Sequence, residues 1–387
     1  MISAMPTLTN VRFVRTSRNW RSQPPGRRCI STLLPPRTPA FVFDIDGVLL
    51  RGETVLEPTR NAFRILHGEN PFNRKIPYIF LTNGGGVSEE TRCLNLSRQL
   101  GFDIPINRYI QSHTILKSIA HRFHDKHVLV LGGRGNTLKS VAHSYGFRKV
   151  YNPLDILAWN HAIYPFIDLT EEEKMMHGTH QDLSKVKFHA ILVFHDPRNW
   201  GLDIQVMCDI LRGNGFLAEP TSIHSATDVE VIFCNPDLLW KNEWEGPRLG
   251  QGGFRKAWEG VWSHLKMGQN DPVITQLGKP TRETYSFAAD VLREVSDELD
   301  VKLTFGSSDD VGTLGRSSSN IYMIGDNPES DIAGANLAGW NSVLVHTGVY
   351  DPRHRPSLPE SKRPTLEAKD VEEAVRLVIH EEIKFTR

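Results

Sequence analysis

Cysteine is scarce in this chain: Cys29, Cys93, Cys208 and Cys234 are the only four among 387 residues. No two of them make a C-x-x-C pair, which argues against a zinc ribbon or a dithiol redox motif. Thiols scattered this thinly read as reduced rather than as a disulfide framework. Long apolar runs are also missing. None approaches the roughly 18–20 residues that span a bilayer, and no apolar stretch follows the first charges as in a secretory signal. Net charge is absent overall, with 45 basic and 45 acidic residues. That balance hides another absence, because residues 1–38 contain seven arginines and no Asp, Glu or Lys. The remainder carries 38 basic against 45 acidic residues, a net of −7, which excludes a general nucleic-acid binder as the leading reading.

What is present begins with that leader. Rich in arginine and hydroxyl residues and free of acids, residues 1–38 have the composition of a mitochondrial transit peptide. On a helix, Arg15 and Arg18 would share a face opposite Phe13 and Trp20. A basic tail with no address is the alternative. Beyond it, 39% hydrophobic and 23% charged residues suit a globular chain long enough for two packed bodies.

Short β-rich apolar runs at 41–45, 77–82, 127–131, 190–194, 231–233, 321–324 and 341–346 read as buried strands, the last of these as the final one. Helices are expected at 59–67, from Ser88 with its acidic first turn, up to Tyr145, over 281–293 with Tyr285, Ala288, Ala289 and Leu292 on one face, and from Ser330 to a C′ glycine at Gly339. Strand and helix alternate, so the fold class is α/β with a parallel sheet. Residues 168–187 look like an exposed insertion, 244–253 like a glycine-rich linker, and 306–320 like a mobile loop.

Four elements carry chemistry. Asp44 and Asp46 lie two residues apart at a strand end, so their carboxylates lean the same way, and Gly47 allows a ligand close to the backbone. Two close carboxylates repel each other and call for a cation; oxygen ligands and a small hard ion point to Mg²⁺. Thr82 and Asn83 follow the next strand, where hydroxyl and backbone N–H groups can meet phosphate oxygens. Lys279, just before a helix, can reach a phosphate or a charged aspartate. Asp326 at a strand end and Asp331 at a helix start can face one cation. Ligands of open parallel sheets bind at the carboxyl ends of strands, and each element falls there or just beyond.

In that order the elements resemble the haloacid dehalogenase superfamily of hydrolases: the run 41–49, then Leu81-Thr82-Asn83, Gly278-Lys279-Pro280, and Gly325-Asp326 with Asp331. The interval of nearly 200 residues between the second and third implies a Rossmann-like core interrupted by a large α/β cap of the class IIA kind. The expected boundaries are 39–122 for the first part of the core, 123–251 for the cap and 252–387 for the rest of the core. Residues 194–201, 234–240 and 250–254 resemble a subgroup thought to be mitochondrial. The resemblance implies a phosphatase with Asp44 as nucleophile, Asp46 as acid and base, and Thr82 and Lys279 stabilising charge. The metal would be held by Asp44, the Asp46 carbonyl and Asp326, with Asp331 at or behind it.

Asn83, Asp196, Arg198, Asn235 and Asp237 are the candidate substrate-binding residues; Trp200 and Trp240 are read as core. The expected partner is a small phosphorylated metabolite, with no nucleic acid and no integral membrane segment. Self-association through the cap stays open, and the expected location is the mitochondrial matrix. Gly84-Gly-Gly86 departs from the family, many of whose members carry Asn or Ser there. Gly132-Gly-Arg-Gly135 does not complete a dinucleotide fingerprint, since Leu138 replaces the last glycine. A scaffold that keeps the fold without turnover and a receiver-like phosphoacceptor are the competing readings; the filled catalytic positions oppose the first and the large cap the second.

Overall fold

The computed structural model describes residues 37–178, 181–217, 227–240, 242–266, 268–306, 318–353 and 358–385. The leader, Cys29 and most of the loop expected at 306–320 lie outside them. Cys93, Cys208 and Cys234 are free and buried. No helix among the described residues is long and apolar enough to cross a membrane.

Two parallel sheets organise the chain. Its strands run β1 (Ala40–Phe43), β2 (Tyr78–Leu81), β3 (Tyr109–Ile110), β4 (His127–Leu131), β5 (Lys149–Tyr151), β6 (Phe188–Val193), β7 (Glu230–Phe233), β8 (Ile274–Gln276), β9 (Ile321–Gly325), β10 (Asn341–Val345) and β11 (Leu366–Ala368). The first sheet has the order β11-β10-β9-β1-β2-β3. Val42 lies level with Met323 on one side and Ile79 on the other. Both faces are covered, so β1, β2, β9 and β10 are buried throughout rather than alternately, and all but Asn341 and Ser342 at the start of β10 are largely apolar. Phe41 and Phe43 point to one face, where Phe63, Ala374, Val375 and Val378 pack. Ala40 and Val42 point to the other, against Tyr285, Ala288, Leu292 and Val295 of the helix Arg282–Glu298.

The second sheet has the order β8-β7-β6-β4-β5. It takes in β8, and the helix Gln251–Leu265 drives Phe254, Trp258 and Trp262 into its core. The boundary expected at 251 thus misplaces residues 252–276, and Ile115, Leu116 and Phe123 already pack with the second body. Residues 244–253 are no simple linker, because Arg248–Leu249 pairs with Leu239–Trp240 and Gly252 and Gly253 lie buried in a helical turn. Composition misled here: the glycines serve close packing rather than a joint, with the carbonyl of Pro236 2.3 Å from where a Cβ of Gly252 would stand.

Two other expectations are corrected. The segment 168–187 is anchored: Leu169, Leu183 and Val186 are buried, and His177 meets Asp155 at 3.0 Å inside the second body. The strand β10 is not last, because three-residue β11 pairs outside it and the helix Val371–Phe385 follows; a strand that short leaves no periodic signal. The helix from Asn327 opens with a wide turn, Pro328–Ile332, and Gly339 takes the left-handed conformation after it, as expected.

Trp258 is fully buried against Phe233, with ring centroids 5.7 Å apart. Trp258→Ala is expected to lower stability by about 3–5 kcal/mol in denaturant unfolding; a loss under about 1 kcal/mol would show that this core is loosely packed.

Candidate active site

The carboxyl ends of both sheets face one cavity of about 320 Å³. Its floor comes from the first sheet. Asp44 and Asp46 leave β1, Thr82 and Asn83 leave β2, and Asp326 leaves β9. Its roof comes from the second: His195, Asp196 and Arg198 follow β6, and Asn235, Asp237 and Trp240 follow β7. Lys279 follows β8, on the strand that returns the chain to the first body. The cavity wall includes Asp44, Asp46, Thr82, Asn83, Asp196, Arg198, Asn235, Asp237, Lys279, Asp326 and Asp331, so every candidate catalytic, metal-holding and substrate-binding residue reaches one place.

At the centre, the Lys279 Nζ donates to Asp44 Oδ1 at 2.5 Å and to Asp331 Oδ1 at 2.6 Å. All three side chains are buried. Burial would lower the pKa of the ammonium, but Asp331 and Asp44 outweigh it and hold the group charged. Burial raises Asp44 well above the usual carboxylate range; Lys279 opposes this, while Asp331, Asp326 and Asp46 add to it. Asp326 is pushed up to about 8 by burial and by Asp331. Burial also raises Asp46, with Arg92 and Lys279 opposing.

Four carboxylates around one ammonium leave an excess of negative charge, and three of them, Asp44, Asp326 and Asp331, offer oxygens all within 4.8 Å of one another. The surrounding backbone is cut to fit these groups. A Cβ on Gly348 would stand 1.7 Å from Asp326 Oδ2, and one on Gly47, whose φ is +93°, would stand 2.5 Å from it. Oxygen-only donors and excess negative charge fit a hard divalent cation.

Asn83 acts as a brace. Its amide donates to Asp237 Oδ2 and to the Lys279 carbonyl, and its oxygen accepts from the Lys279 N–H. One side chain thus ties the floor to the roof and to the lysine. The Thr82 N–H donates to Ile110 in the sheet, and the Thr82 hydroxyl oxygen accepts from the Gly84 N–H at 2.9 Å, so it is the hydroxyl's own proton, not that amide, that can meet a ligand. Tyr285 donates to the Asp331 and Ser330 carbonyls. Asp237 is pushed up to about 6 by burial, its bond from Asn83 opposing; burial also raises Asp196.

The glycine run 84–86 has a spatial cause. A Cβ on Gly84 would come within 3.2 Å of Asp46 Oδ2, one on Gly85 within 3.0 Å of His113 Cδ2, and one on Gly86 within 2.5 Å of His195 Cδ2. Sequence reading missed His195, Arg92, Gly348 and Val349, whose N–H donates to Asp326 Oδ2 at 2.6 Å. The rule that pointed to Asp326 also points to Gly348, which follows the adjacent strand β10. Trp200 packs in the second core against Phe254, as read. Trp240 does not: it is 36% exposed and lines the cavity, on a two-stranded hairpin whose other residues, Leu239, Arg248 and Leu249, are exposed as well.

A model of haloacid dehalogenase-like hydrolases matches residues 41–148, and a second hydrolase-like model of the same kind matches 276–374. The chain is 39% identical over 345 residues to the mitochondrial hydrolase YKR070W of Saccharomyces cerevisiae, covering 87% of this chain and 94% of the relative. The chain belongs to the haloacid dehalogenase-like hydrolase family. This hydrolase is also 35% identical over 328 residues to a cardiolipin synthase (CMP-forming)/mitochondrial hydrolase fusion protein of Schizosaccharomyces pombe, covering 84% of the chain and 51% of that protein. Both relatives are named mitochondrial, and this hydrolase is a mitochondrial protein. The structure of a 4-nitrophenylphosphatase from Thermotoga maritima shares the fold, with a TM-score of 0.56 and 18% identity, covering 89% of this chain and 99% of that one.

Two outcomes test the cation site. Gly348→Ala is expected to abolish divalent-cation binding in calorimetry while circular dichroism keeps the folded signal. The raised carboxylates must also lose protons to ligate. Because burial and Asp331 push Asp326 up to about 8, affinity for Mg²⁺ should rise with pH up to that value, by up to about tenfold per unit, with proton release seen as buffer-dependent heat. Affinity that stays flat from pH 6 to 8 would contradict this.

Proposed function

We propose that this hydrolase is a Mg²⁺-dependent phosphatase of the mitochondrial matrix that cleaves a small phosphomonoester through an aspartyl-phosphate. The observation that carries this reading is the Asp44–Asp46 pair at one strand end, with Asp44 clamped by Lys279 beside Asp326 and Asp331. Asp44 Oδ attacks phosphorus in line and forms the acyl phosphate. Asp46, whose pKa burial raises, gives its proton to the leaving oxygen and then takes one from the water that hydrolyses the intermediate. The Thr82 hydroxyl and Lys279 ammonium stabilise charge on the transferring oxygens. Asp44, Asp326, the Asp46 carbonyl and, at or behind them, Asp331 would hold Mg²⁺, which supplies neutralisation of phosphate charge so that one anion can approach another. Asn83 sets the position of Lys279, while Asp196, Arg198, Asn235 and Asp237 face the leaving group.

Uncatalysed phosphate-monoester hydrolysis is slow enough that enzymes gain up to about 10²¹-fold. Removing the nucleophile should therefore end turnover, whereas Asp46→Asn should cost roughly 10²–10⁴ in kcat and Thr82→Ala roughly 10²–10³. The test is phosphate release by purified residues 37–387 against a panel of phosphomonoesters, with and without Mg²⁺. The panel includes a phosphorylated glycerolipid headgroup, because the fission-yeast relative joins such a hydrolase to a cardiolipin synthase. Magnesium-dependent release that persists in Asp44→Asn would sink the assignment.

A further inference from the structure

The mechanism leaves one cation of the cavity without a task. Arg92 lies in the first turn of the helix Glu89–Leu100, just past the glycine run. A positive side chain there opposes the positive end of the helix dipole, and the same turn already carries Glu89 and Glu90. The helix therefore gains nothing from an arginine at this position. Its guanidinium lies close enough to buried Tyr109 and to Asp46 to oppose the upward shift that burial gives each of them. It lines the cavity, yet no carboxylate lies within the 4.0 Å of an ion pair among the described residues.

Lys279, by contrast, is held by Asp44 and Asp331. Arg198 of the roof lines the same cavity, is exposed, and likewise has no such partner among the described residues. Two guanidiniums without an ion-pair carboxylate among the described residues thus line the cavity, Arg92 near Asp46 and Arg198 near Asp196 in the roof, and on the reading above the leaving group lies between floor and roof. Guanidinium is suited to planar, two-point recognition of carboxylates and phosphates.

We propose that Arg92, with Arg198 of the roof, binds a second anionic group on the leaving part of the substrate, so that the hydrolase prefers phosphomonoesters of acids or bisphosphates over phosphomonoesters of neutral alcohols. This rests on the phosphatase reading for its chemistry but not for its binding. A cavity of about 320 Å³ suits a ligand of that size. The acidic neighbours limit where the anion sits: Asp237 is tied to Asn83, and Asp196 lies near Arg198, which leaves Arg92, set toward Asp46, as the positive wall for the anion.

Three probes that differ at one carbon test the idea: glycerol 3-phosphate, 3-phosphoglycerate and glycerol 1,3-bisphosphate. The wild-type protein should favour the second or third over the first by about 10–100-fold in kcat/KM, the range expected for one charge-assisted contact. Which of the two leads tells carboxylate from phosphate. Arg92→Gln should bring that ratio close to one, mainly through KM, Arg92→Lys should keep part of it, and Arg198→Gln, at an exposed position, should lower it too. A wild-type ratio near one, or a ratio unmoved in Arg92→Gln with all three probes slowed alike, overturns the proposal and leaves Arg92 as a brace for Asp46. The same three probes are titrated by calorimetry into Asp44→Asn protein and its Arg92→Gln double variant. If no probe releases phosphate, the phosphatase reading fails, and the ratio of dissociation constants in that titration still decides the role of Arg92.

Discussion

One ammonium shared by two carboxylates holds this site together. Lys279 meets Asp44 and Asp331 in a place from which all three are shut off from water. Removing one partner from such a cluster leaves an uncompensated buried charge, a far larger penalty than the pair's net contribution to stability. Everything near the lysine is arranged to keep it there: Asn83 grips its backbone from both sides, and Tyr285 holds the backbone of Asp331. Even so, burial, with the neighbouring carboxylates adding to it, drives Asp44 and Asp326 toward their neutral forms. A divalent cation relieves the same imbalance.

The two sheets supply this constellation for a geometric reason. In a parallel sheet all carboxyl ends lie on one edge, and here both sheets turn that edge toward a common space. The floor bears the groups that would touch phosphorus, and the roof bears those that would touch what leaves. Because Lys279 follows β8 of the second sheet yet clamps an aspartate of the first, any displacement of one body against the other is felt at Asp44. Asn83, bonded to Asp237 across the same gap, couples them a second time.

Much of the floor of the cavity was legible in the chain. Each aspartate stands where an apolar run stops, and burial of both sheet faces makes such runs conspicuous. The roof was less legible. Asp196, Arg198, Asn235 and Asp237 do line the cavity, but they were found as polar residues after strands, with no pattern of their own. Trp240 was misread because an aromatic beside a strand is usually core, and nothing local reveals that its hairpin is exposed. Residues 252–276 were assigned to the wrong body because buried, close-packed glycines and linker glycines look alike in composition. Arg92 gave no local signal, since its only oddity is a charge at the unfavourable end of a helix.

By itself the sequence determined the α/β class, the two bodies, the leader's composition and the strand ends that carry Asp44, Asp46, Thr82 and Asp326, because apolar runs broken by glycine encode these locally. Only the tertiary structure decided which of these side chains meet. Lys279 lies 235 residues from Asp44 and 52 from Asp331 in the chain. Their union depends on strand order and on the packing of one sheet over another, properties that no local pattern contains.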